Sequence, residues 1–118
     1  MRLLITVITS AVIMLAPVGA DAHAHLDHAS PPVGATVPTA PPDVTIWFTQ
    51  KLEAAFSGVD ITGPSGASVI AGAPQISGNT MKIGIKADGP GAYHVRWRAV
   101  SVDTHKTEGN FTFTVGGQ

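Results

Sequence analysis

From residue 44 onward, apolar and polar residues alternate with a period of two. Val44, Ile46 and Phe48 alternate with Thr45, Trp47 and Thr49, the pattern of a half-buried strand. Val59 and Ile61 predict a short strand that ends at Gly63-Pro64-Ser65-Gly66, a strong turn signal. Met81, Ile83 and Ile85 alternate with Lys82, Gly84 and Lys86, and Gly89-Pro90-Gly91 makes the next turn. Tyr93, Val95, Trp97 and Ala99 then alternate with His94, Arg96, Arg98 and Val100. Phe111, Phe113 and Val115, set against Thr112 and Thr114, close the pattern. Shorter strands are expected over His25 to Ala29 and Ser68 to Ala71. Ser30 to Pro42 holds five prolines and reads as a loop or edge crossing.

No stretch reads as a helix, because Gly and Pro punctuate the chain too often. About seven short strands, spaced every ten or so residues, predict an all-β domain. The expected form is a Greek-key β-barrel or an immunoglobulin-like β-sandwich. No second domain and no internal repeat is visible.

The first 22 residues follow another rule. Met1-Arg2 gives a short cationic start, Leu3 to Val18 is almost wholly apolar, and Ala20-Asp21-Ala22 has the small-x-small form of a cleavage site. The apolar run is short for a membrane span, and Pro17 and Gly19 interrupt its end. Residues 1–22 are therefore expected to be a signal peptide, and residues 23–118 the exported domain. Cleavage after Ala22 exposes His23; a competing site after Ala24 exposes His25. Either cut creates a free α-amine beside an imidazole.

Composition narrows the chemistry. The chain of 118 residues has no Cys, which excludes disulfides, Cys-ligated zinc, iron–sulfur clusters and thiol catalysis. Seven Lys+Arg against eight Asp+Glu leave no cationic footprint for nucleic acid. Five His then stand out in a chain that is only 13% charged. His94 sits on the polar side of its strand and reads as a surface residue. His28, just before the Pro-rich loop, reads as surface or structural. Asp103-Thr104-His105 is more pointed: in an extended backbone, residues i and i+2 project to one side. On spacing alone a turn Asp and a surface His explain it better than a metal site does.

The exposed amine and imidazole of His23 add two nitrogen donors. With Asp103 and His105 they make three nitrogens and one oxygen, a set suited to Cu(II). A local alternative remains open at this point. In His23-Ala24-His25 the amine, two deprotonated amides and the His25 imidazole can wrap Cu(II) in a plane without any fold.

These residues resemble the CopC-type periplasmic copper-binding proteins (the CopC and PcoC family). The resemblance rests on His23-Ala24-His25-Leu26, on Ala29-Ser30-Pro31 with Gly34, and on Val44-Thr45-Ile46-Trp47-Phe48. It continues through Tyr93-His94-Val95-Arg96-Trp97-Arg98-Ala99-Val100-Ser101-Val102-Asp103-Thr104-His105, Gly109, Phe113 and Val115. It implies one Cu(II) per chain, held by the amine and imidazole of His23 with Asp103 and His105. It also implies a periplasmic monomer that sequesters or buffers copper, or delivers it to a CopD-like inner-membrane copper importer. Some members hold Cu(I) in a Met- and His-rich loop. The corresponding Val59 to Gly72 has neither residue type, so no Cu(I) site is expected. Where certain members place a Glu near the Cu(II) site, this chain has Gln50, with Glu53 three residues on. Two other classes remain as alternatives: a copper-dependent oxidative enzyme with an N-terminal histidine brace, and a non-metal interaction module. The expectation is a binder and not an enzyme.

Overall fold

The computed structural model describes residues 24–117. The expected signal peptide, His23 and Gln118 lie outside them. Eight strands form two four-stranded sheets. The first sheet has the order β1-β3-β6-β5, made of Leu26–Ser30, Asp43–Phe48, Thr80–Gly84 and Gln75–Ser77. The second has the order β2-β8-β7-β4, made of Thr36–Val37, Lys106–Val115, Gly91–Val100 and Gly58–Thr62. All pairings are antiparallel except β2 with β8. The two sheets stay separate, so the fold is the sandwich form and not a closed barrel.

The alternation seen in the sequence supplies the core. Val44, Ile46 and Phe48 of β3 and Met81 and Ile83 of β6 turn inward from the first sheet. Tyr93, Val95, Trp97 and Ala99 of β7 and Phe111, Phe113 and Val115 of β8 meet them from the second. Phe48 and Trp97 contact edge to face across the sandwich, with centroids 5.2 Å apart. Tyr93 and Phe113, cross-strand partners, stack at 5.1 Å. Such pairs add roughly 0.5–1.5 kcal/mol to simple burial. The Tyr93 hydroxyl donates to the Gly89 carbonyl and accepts from the Asp88 N–H, both at 2.8 Å, which pins the turn before β7.

Several expectations need correction. The Pro-rich Ser30 to Pro42 contains the two-residue β2, paired with the end of β8. Ser68 to Ala71 is not a strand; only isolated bridges join Ser68 to Thr62 and Ile70 to Ile85. A hairpin strand, β5, precedes Met81 and was not expected. The last strand begins at Lys106, five residues before the apolar run of Phe111. That extension makes β7 and β8 one long antiparallel ribbon, with the Asp103 loop at its tip.

Candidate metal centre

The β7–β8 ribbon pairs as far as Val100 with Lys106, and residues 101–105 close it. The closure is a tight turn. Thr104 N–H donates to the Ser101 carbonyl at 2.8 Å, and Ser101 N–H donates to the His105 carbonyl at 3.0 Å. Thr104 takes a left-handed φ of 71°, costly for a β-branched residue. Asp103 and His105 therefore meet through a turn and not through strand alternation, as the spacing had suggested. Nδ1 of His105 lies 3.1 Å from Oδ2 of Asp103. Both side chains remain open to solvent, 54% and 40% exposed.

Ser101 lies beneath the pair and is 1% exposed. Its hydroxyl donates to Oδ1 of Asp103, so the two carboxylate oxygens are divided between Ser101 and His105. The Ser101 hydrogen bond, reinforced by His105, holds the Asp103 carboxyl below the usual carboxylate range. The result is an ionised oxygen donor beside an imidazole. That chemistry fits Cu(II), which takes nitrogen and oxygen ligands. Among the described residues no third His, Cys, Asp or Glu joins them into a metal-binding cluster.

The start of the described chain reaches the same ribbon. Ala24 is fully buried, and its carbonyl accepts a hydrogen bond from the Thr107 hydroxyl, two residues past His105. The next residue is also fixed. His25 N–H donates to Oγ1 of Thr49 at 3.0 Å, and Thr49 N–H returns a bond to the His25 carbonyl at 2.8 Å. His23 itself lies outside the described residues. Gln50, the other candidate neighbour, is half-buried in the bend after Thr49.

The remaining histidines are elsewhere. His94 is exposed on β7, opposite Thr62 and Thr112. His28 stacks flat on Trp47, with centroids 4.3 Å apart and planes 7° from parallel, and contacts the Asp27 carboxylate at 2.6 Å. It is thus a surface stacking residue. Ser101, Thr107 and Thr49 are the site-supporting residues that the sequence did not single out. Their partners are distant in the chain or hidden in a turn. The one legible clue was a Thr at position 107 on the inward side of an otherwise apolar or small row.

Comparison with known proteins identifies the family. The chain matches the CopC domain over residues 26–116. It is 42% identical over 98 residues to Protein YobA of Escherichia coli strain K12, covering 80% of this chain and 79% of that one. It is 34% identical over 119 residues to Copper resistance protein C of Escherichia coli, covering 92% and 94%. The fold superposes on the crystal structure of CopC from Methylosinus trichosporium OB3b with a TM-score of 0.74 at 27% identity, covering 81% of this chain and 96% of that one. For PcoC, a methionine-rich copper resistance protein from Escherichia coli, the TM-score is 0.70 at 35% identity, with 80% and 100% covered. A match that spans both sheets and the Asp103–His105 loop leaves one conclusion: the chain belongs to the CopC family.

Proposed function

We propose that the processed chain is a copper resistance protein that binds one Cu(II) and holds it as cargo. The proposed ligands are the amine and imidazole of His23, the Asp103 carboxylate and the His105 imidazole. The observation that carries this reading is the meeting of two chain regions at one end of the sandwich. Asp103 and His105 are paired there, and the Ala24 carbonyl is bonded to Thr107 just beyond them. The start of the described chain is thereby tied to β8 beside the Asp103–His105 turn.

Residues 1–22 act in this reading as a signal peptide, and its removal creates the amine donor. The cargo is then carried in the periplasm by a monomer, for sequestration, buffering or delivery to a CopD-like inner-membrane importer. Cu(II) is favoured over Cu(I) because the thioether that Cu(I) prefers is not on offer at the surface. Met81, the single Met after residue 22, is packed in the core at 1% exposure. A four-donor set of this kind favours holding the metal over activating oxygen, so the protein is read as a carrier and not an enzyme.

The test is Cu(II) affinity of the chain starting at His23, with and without His105→Ala. A loss of several orders of magnitude in the variant is expected. Equal affinities would move the metal to His23-Ala24-His25 and remove Asp103 and His105 from the site. Ascorbate-driven peroxide production should stay near background; strong turnover would favour the enzyme.

A further inference from the structure

The start of the chain holds two rival ways to bind Cu(II), and the fold restrains one of them. The local mode needs the backbone nitrogens of Ala24 and His25 as deprotonated ligands in a plane with the amine and the His25 imidazole. In the structure the His25 N–H donates to Oγ1 of Thr49, and the His25 carbonyl accepts from Thr49 N–H. The Ala24 carbonyl accepts from the Thr107 hydroxyl, and Ala24 is buried in the core. These bonds hold residues 24 and 25 against β8 and the bend after β3.

Thr107 is unusual on its own strand. Its row on β8 continues inward through Gly109, Phe111, Phe113 and Val115. A hydroxyl on an inward row costs free energy unless it is hydrogen-bonded. A partner on its own ribbon is available, since the Ala99 carbonyl lies 3.4 Å away. The hydroxyl makes its shorter contact instead with Ala24, 83 residues back in sequence. Packing alone would be served as well by the isosteric Val.

We propose that Thr107, assisted by Thr49, is a positioning residue that selects the composite copper site over local chelation by anchoring residues 24 and 25. This rests on the composite reading given above. Thr107 touches no metal in this account. It acts by holding the Ala24–His25 peptide, whose nitrogen local chelation would need, against β8. Thr49 withholds the His25 amide from the metal in the same way.

The experiment uses the processed chain starting at His23, Cu(II) alone as probe, and the variants Thr107→Val, Thr107→Ser and Thr49→Val/Thr107→Val. Each is checked for folding by circular dichroism and melting. Three readouts follow: affinity, the electron paramagnetic resonance signature of bound Cu(II), and protons released per copper at constant pH. Amide ligation releases backbone protons, whereas the composite site releases none from amides. The parent should bind without amide proton release and should depend strongly on His105. Thr107→Val should weaken the composite site by roughly tenfold, about 1.4 kcal/mol. The double variant should shift toward the amide-ligated signature, release extra protons, and lose its sensitivity to His105→Ala. Thr107→Ser keeps the hydroxyl and should restore the parent signature.

A folded Thr107→Val protein with parental signature, proton count and affinity would overturn the proposal. So would a Thr107→Ser variant that behaves like Thr107→Val, since the methyl group would then be the cause. If the parent itself ignores His105→Ala, the composite reading fails instead, and the two failures are distinguishable.

Discussion

Gly109 faces Trp97 across the β7–β8 ribbon, and the indole fills the space a side chain would need. A Cβ on Gly109 would fall 2.4 Å from Cζ2 of Trp97, which is buried in the core. Gly109→Ala should therefore cost about 1–3 kcal/mol by overpacking, read as an earlier urea midpoint. Asp88 gives a pH-dependent counterpart. It accepts from the Ser65 N–H at 3.0 Å and the Ser65 hydroxyl at 2.7 Å, which hold its carboxyl below the usual range. A depressed folded pKa contributes stability that is full above the unfolded value of about 3.9. That stability is lost as pH falls through the lower folded value. The stability difference between the parent and Asp88→Asn should thus be present at pH 6 and shrink below about pH 4; a constant gap in urea titrations would contradict it. At this scale the sequence displayed the candidate donors Asp103 and His105 and, beyond a Thr on an inward row, little of what supports them. The role of a Ser or Thr hydroxyl depends on which carbonyl or carboxylate the fold brings to it, and spacing carries no trace of that.

Elements were legible where apolar residues alternated over several positions, as in β3, β6 and β7. They were hidden where the inward row used small or polar residues. The first half of β8 places Thr107 and Gly109 inward, so Lys106 to Asn110 looks like a loop until its pairing is seen. In β5 only Ile76 is apolar, which leaves no alternation to read. The β5–β6 hairpin instead rests on its turn. Ser77 pairs with Thr80, and Gly78 between them has a φ of 59°. A side chain there meets the left-handed penalty, so Gly78→Ala should cost about 1–2 kcal/mol. The expected signature is faster amide exchange confined to β5 and its neighbours in β6, with the β7–β8 ribbon unaffected. The extended picture of Asp103 and His105 gives way to a turn for a related reason. Its donors meet because Thr104 reverses the chain, a conformation no residue pattern announces in a Thr.

At the scale of the molecule, the proposed site links metal and fold. A ligand that binds only the native state stabilises it, by about 2.7 kcal/mol when present at a hundredfold excess over Kd. For a domain of this size that corresponds to a rise in Tm of roughly 10 °C or more. Scanning calorimetry of the chain starting at His23 should show such a rise with Cu(II), and His105→Ala should lose most of it. The sandwich architecture was legible because alternation is a property of both sheets. The contact of Ala24 with Thr107 at the start of β8 is not written in that alternation, since it arises only from how the sheets close over one another. That contact bears on the order of events in the cell. The bond between Ala24 and Thr107 joins residues 83 positions apart, and β8 is the last of the described strands. If the chain is exported as proposed, one still emerging from the translocation channel holds its early residues outside while the β7–β8 hairpin is not yet delivered. On the composite reading, such a chain cannot assemble its cargo site however much copper surrounds it. On that reading the cargo site is complete only once β8 is in place, and a truncated chain lacking β8 is left with chelation by its first three residues alone.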